Sequence, residues 1–184
     1  MRIQAYIRHV TYDQRGRVIK RSRWRKAQSF VRQWIEILTV QFSQATQQIY
    51  DDGYTLCTVG PSSHNLRLEA GPGITYYGIL VGSGTTPVDI NDYHLESQIT
   101  TNLDHNETTF TLSSPDANSR QIDITRNFSN IGTTDISVTE VVLQCRAYAL
   151  SLGIRSFCLD RSLYSLTIPA LGSVDLTYRL RVTV

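Results

Sequence analysis

Val174-Asp175-Leu176-Thr177-Tyr178-Arg179-Leu180-Arg181-Val182-Thr183-Val184 alternates without a break. Val174, Leu176, Tyr178, Leu180, Val182 and Val184 fall on one side, with Asp175, Thr177, Arg179, Arg181 and Thr183 on the other. Successive side chains of a strand point to opposite faces, so this period of two predicts a strand with one dry face, stitched into a sheet.

Upstream, residues 107–112, 121–128, 135–144 and 157–159 read as further strands. Between them lie Ser114-Pro115-Asp116-Ala117-Asn118, Asn130-Ile131-Gly132, Gly153 and Ala170-Leu171-Gly172. Turn signals at this density predict a mainly β protein, an antiparallel β-sandwich of about seven or eight strands. Spacing alone leaves jelly-roll and immunoglobulin-like topologies open. Residues 74–81, Ile-Thr-Tyr-Tyr-Gly-Ile-Leu-Val, form a continuous apolar run that predicts a strand buried on both faces. The Gly78 to Gly84 stretch that follows has the glycine content of a phosphate cradle. No Lys-Ser or Lys-Thr pair follows it and Pro87 closes it, so it reads as a tight turn.

The opening of the chain differs in character. Ile3, Ala5 and Ile7 alternate with Gln4, Tyr6 and Arg8 up to Asp13-Gln14-Arg15-Gly16, which predicts a hairpin with strands at about residues 2–11 and 17–23. From Ser29 the period changes to that of a helix: Phe30, Trp34, Leu38 and Phe42 recur every fourth residue, with Ser29 as the expected N-cap. Residues 51–73 carry Asp51-Asp52-Gly53, a short strand at 54–59 and Gly60-Pro61-Ser62-Ser63, the natural place for a long loop. The expected organisation is therefore a basic hairpin plus amphipathic helix over 1–50, a linker over 51–73 and a sandwich body over 74–184.

The net charge of +2 conceals a polarity: residues 1–32 hold ten basic side chains against Asp13 alone, net +9, and the rest of the 184-residue chain is net −7. An anionic partner at the basic end, or charge-complementary stacking of identical subunits, is the expectation. Arg15, Arg17, Arg21, Arg23 and Arg25 surround Trp24, a composition that suits protein carboxylates and, as a less favoured partner, nucleic acid. No apolar run of about eighteen residues argues for a membrane span. Residues 1–10 alternate where a secretory leader would be apolar, which predicts folding in a cytoplasm. Cys57, Cys145 and Cys158 are an odd, scattered set, expected as buried reduced thiols.

Chemistry-bearing constellations are sparse. Asp89, Asp92 and Glu96 do not match a calcium loop and read as a capped turn. His9, His64, His94 and His105 sit in separate segments, and the sequence predicts neither catalytic residues nor a cofactor or metal. Arg126 and Glu140 fall at inward positions of two predicted strands, and a half-buried ion pair between them is expected to fix register.

Residues Tyr77-Gly78-Ile79-Leu80-Val81-Gly82-Ser83-Gly84-Thr85-Thr86-Pro87, with Asp92-Tyr93-His94-Leu95-Glu96 and Ile99, resemble a pattern in small virion proteins of tailed bacteriophages. Ile124-Thr125-Arg126-Asn127-Phe128-Ser129-Asn130, Ile136-Ser137-Val138-Thr139-Glu140-Val141, Asp160-Arg161 and Ile168-Pro169-Ala170-Leu171-Gly172-Ser173-Val174 are similar to the β-rich body of that group. The likeness covers residues 74–184, reaches the N-terminal part only around Ser29-Phe30-Val31, and departs from the group at Val142, where a glycine is expected. It implies a non-enzymatic particle component, a capsid decoration or head-fibre protein first and a tail or neck component next, whose partners are its own copies and other virion proteins. The expected attachment surface is Arg15, Arg17, Arg21, Arg23, Trp24 and Arg25 with the helix stripe Phe30, Trp34, Leu38 and Phe42. A carbohydrate-binding module using Tyr76, Tyr77 and Tyr93, and a nucleic-acid-binding protein using the basic hairpin, are the alternatives.

Overall fold

The alternating C-terminal run forms an inner strand of a sheet. A computed structural model describes residues 2–183; Met1 and Val184, the last position of that run, lie outside the described residues. Two six-stranded antiparallel sheets pack face to face as a β-sandwich.

The first sheet contains β1 (Arg2–Tyr12), β2 (Val18–Arg21), β3 (Arg25–Lys26), β8 (Leu103–Asp116), β9 (Ser119–Asn130) and β12 (Ser173–Thr183). Their order is β2-β1-β12-β9-β8, with β3 also on β1. The predicted opening hairpin is present: the Asp13 carboxylate accepts from the Arg15 and Arg17 amides at 2.8 and 3.0 Å, and Gly16 takes a φ of +73°. β12 buries Val174, Leu176 and Tyr178, as its period requires.

The second sheet contains β4 (Ser29–Phe30), β5 (Gln47–Tyr50), β6 (Leu56–Val59), β7 (Gly78–Gly82), β10 (Ile136–Ala149) and β11 (Gly153–Ile168). β10 and β11 form one long hairpin, closed by Leu150-Ser151-Leu152 and Gly153 at φ +76°. β7 and β6 share the other edge of β10, β7 along Glu140–Gln144 and β6 at Ala149. The chain crosses between layers four times, and the last two crossings, β9 to β10 and β11 to β12, leave β9–β12 in one sheet and β10–β11 in the other as nested antiparallel pairs.

The main core lies between the layers, around Ile7, Ile79, Ile124, Phe128, Leu143, Leu176 and Tyr178. A second cluster, including Ile49, Val59, Phe157 and Leu159, lies beneath the single helix α1 (Arg32–Ser43). Leu68, in the segment expected as a linker, packs against both clusters, and the N-terminal fifty residues supply Ala5, Ile7, Val31, Ile37 and Val40 to the interior.

The helix is present but turned relative to expectation. Its buried face is Gln33, Ile37 and Val40; Trp34 and Leu38 are half-buried and Phe42 is 80% exposed. It also starts later, because Ser29 and Phe30 pair with Arg161 and Asp160 of β11, which leaves Val31 as the N-cap without a side-chain cap. Among the described residues no helix is long and apolar enough to cross a membrane.

Candidate assembly surface

Arg126 and Glu140 both point inward as predicted, but they are fully buried where a half-buried pair was expected, and they do not pair with each other. Arg126 gives all its guanidinium donors to backbone carbonyls: Nε to Asn106 at 2.8 Å, Nη1 to Tyr77 and Ile79 at 3.2 and 3.1 Å, Nη2 to Gly71 and Ile74 at 3.4 and 2.6 Å. It thereby ties the 71–79 segment to β8 and β9. With no carboxylate beside it, burial pulls its pKa down to about 10.

Glu140 pairs instead with Arg161 of β11, Nε to Oε2 at 2.9 Å. Its other donors are the amides of Gly84 at 3.0 Å, Ser97 at 2.9 Å and Glu96 at 3.2 Å. Glu96 in turn accepts from the Thr85 and Thr86 amides at 2.7 and 2.8 Å. The glycine-rich run thus does cradle an anion through its backbone, and the anion is this chain's own carboxylate. A Cβ on Gly82 or Gly84 would stand 2.5 Å from Glu140 Oε1, which is why both positions are glycine. Arg161 also reaches Asp92 at 2.9 Å; burial acts to lower its pKa, and the bonds to Asp92 and Glu140 outweigh that and raise it. Asp92 also accepts from the Asp89 amide at 2.9 Å, the capped turn expected there. Among the described residues no three His, Cys, Asp or Glu side chains gather as metal ligands.

The basic residues at the start of the chain lie at the β2 and β3 edge. Arg15, Arg17, Arg21, Arg23 and Arg25 are exposed, with Arg17 bonded back to Asp13 at 2.7 Å. Trp24 is not a free stacking platform: the Arg8 and Arg179 guanidiniums lie 4.6 and 3.9 Å from its ring. Arg179 is held in place by Asp123, with two bonds of 2.7 and 2.6 Å. Tyr76, Tyr77 and Tyr93 do not converge. Tyr76 and Tyr77 pack on each other beside Arg146, and Tyr93 packs on Tyr54 and His94. Cys57, Cys145 and Cys158 are buried free thiols, and burial raises the pKa of each.

No family model, no curated protein and no solved structure matches this chain.

The surface that sequence reading missed is an overhang. The inward face of the first sheet has a row Ala5, Leu180, Ile122 and Leu112 running across four strands, flanked by the pairs Ile3–Val182 and Ile124–Phe110. Ala5 and Ile124 are buried, but Ile3 is 51%, Phe110 47%, Leu112 69% and Ile122 39% exposed. The second sheet does not extend over this end, so core-type side chains face solvent in a contiguous patch. The strand pattern marks these residues as inward. How far the opposite layer reaches is not encoded in that pattern.

Proposed function

We propose that this chain is a non-enzymatic structural subunit of a tailed-bacteriophage virion, a capsid decoration or head-fibre protein, that assembles with copies of itself and with other particle proteins. The observation that carries the reading is the overhang of Ile3, Phe110, Leu112 and Ile122, a face with core chemistry that the described residues leave exposed. Each such side chain contributes about 1.5–3 kcal/mol when fully buried, so covering the four together favours association before ordering costs are subtracted. The helix flank of Ile35, Leu38 and Phe42 and the arginine-rich β2 and β3 edge provide a second apolar strip and a source of charge pairs that set orientation. The likeness of residues 74–184 to small phage virion proteins supports the location.

Light scattering coupled to size exclusion is expected to find the native chain as an oligomer, and Leu112→Asp with Ile122→Asp to convert it to a folded monomer. Mass spectrometry of purified particles, with cross-links from Lys20 and Lys26, is expected to find the chain joined to its own copies or to neighbouring virion proteins. Absence from mature particles overturns the virion assignment.

A further inference from the structure

Three tyrosines from separate segments come together beside the start of α1. Tyr50 ends β5, Tyr54 lies in the β5–β6 turn and Tyr93 in the loop between β7 and β8. The rings of Tyr50 and Tyr54 stack at 4.7 Å, and those of Tyr54 and Tyr93 lie 4.9 Å apart. Tyr54 is 61% exposed and holds a φ of +59°, a conformation that glycine or asparagine adopts more cheaply than an aromatic residue. The turn thus carries backbone strain and a large exposed ring at the same position, a combination associated with functional sites.

The rings line a cavity of about 230 Å³ whose remaining wall is polar: Arg32, Gln33, Glu36 and Asn91. Gln33 is 3% exposed; its amide nitrogen donates to the Tyr50 carbonyl at 2.5 Å, and its amide oxygen has no donor among the described residues. That oxygen has almost no accessible surface, so Gln33 braces the cavity wall through Tyr50 and leaves ligand contacts to its exposed neighbours. Arg32 and Glu36 neutralise each other at 2.8 Å, and Arg32 also donates to Asn91 at 3.3 Å. The wall therefore offers planar donors and acceptors with no net charge, which suits neither a phosphate nor a carboxylate. Tyr93 also lines a second cavity of about 240 Å³, whose wall carries Asp92, Glu96 and Arg161 and differs in charge from the first.

We propose that the Tyr50, Tyr54 and Tyr93 cavity is a binding site for a neutral saccharide, with sugar C–H groups against the ring surface the three tyrosines leave exposed and hydroxyls on Asn91 and the Arg32–Glu36 pair. Aromatic rings present apolar area at low conformational cost, and the few convergent polar groups fix orientation. A cavity of this size takes one sugar ring, the end of a disaccharide or of a longer chain. The site is separate from the overhang of Ile3, Phe110, Leu112 and Ile122, and its test reads ligand binding, not oligomeric state.

Saturation-transfer NMR and calorimetric titration with maltose, cellobiose, lactose and chitobiose test the site on the full chain. At least one is expected to bind at roughly millimolar strength. Tyr54→Gly keeps the turn, since φ +59° suits glycine, and removes the ring; it is expected to weaken binding about tenfold or more while thermal melting stays near that of the native chain. Asn91→Ala is expected to weaken binding similarly, and Tyr76→Ala to leave it unchanged. No transfer to any of the four disaccharides overturns the proposal, as does native-strength binding by Tyr54→Gly. Binding confined to sialyllactose or glucose 6-phosphate and lost with added salt overturns the neutral-ligand assignment.

Discussion

Glu140 shows how one buried charge organises its surroundings. Its carboxylate takes donors from Arg161, Gly84, Glu96 and Ser97, so it holds the 83–97 loop against β10 and β11. Removing it leaves Arg161 buried with one anion fewer and strands the amides of Gly84 and Ser97. Glu140→Ala is expected to destabilise the fold by about 3–5 kcal/mol, measured by urea denaturation, with the loop losing hydrogen-exchange protection. That Glu140 would point inward and be charge-paired was legible, because its neighbours Val138 and Val142 define that face as apolar. Its partner was not, since Arg126 and Arg161 are equally good cations in sequence. The choice depends on the Arg126 guanidinium being consumed by carbonyls of the 71–79 segment.

Among the elements, α1 and β11 depart most from their sequence patterns, for opposite reasons. The helix carries apolar residues on more than one side, so periodicity alone selected the Trp34, Leu38 and Phe42 stripe. Pairing of Ser29 and Phe30 with β11 fixes the rotation at which the helix starts and turns Ile37 and Val40 to the core. Ile37→Ala is therefore expected to cost about 2–4 kcal/mol, and Phe42→Ala under about 0.5 kcal/mol, in thermal or chemical unfolding of the monomeric form. The long strand β11 was visible only at 157–159 because its centre, Asp160-Arg161-Ser162, looks like a loop. All three residues are nearly or fully buried, held by Tyr178, Glu140 and the backbone of Gln28.

Buried titratable groups give the whole molecule a defined pH response. Burial, then Lys20 and Arg25, lower the His9 pKa to about 4, and burial, then Arg126, lower that of His105. The unfolded chain protonates these rings near pH 6.5 and the folded chain does so only at lower pH, so acidification through that window favours unfolding. Asp160 acts in the opposite sense: burial raises its pKa to about 8 against 3.8, so between those values raising the pH favours the unfolded chain. Above about pH 6.5 the histidines are neutral in both states and the Asp160 contribution is left. Stability is expected to fall between about pH 6.5 and 8, by at most about 1.4 kcal/mol per pH unit, and Asp160→Asn to flatten that fall. Denaturation midpoints across the window check both. The sequence by itself determined the mainly β class, the opening hairpin, the burial of β7 and β12 and the inward placement of Arg126 and Glu140, because alternation and turn chemistry act over a few neighbouring residues. Only the tertiary structure decided which charge meets which, the rotation of α1, the convergence of the three tyrosines and the uncovered end of the first sheet. Those depend on how two layers are offset, a relation between segments far apart in the chain that no local period encodes.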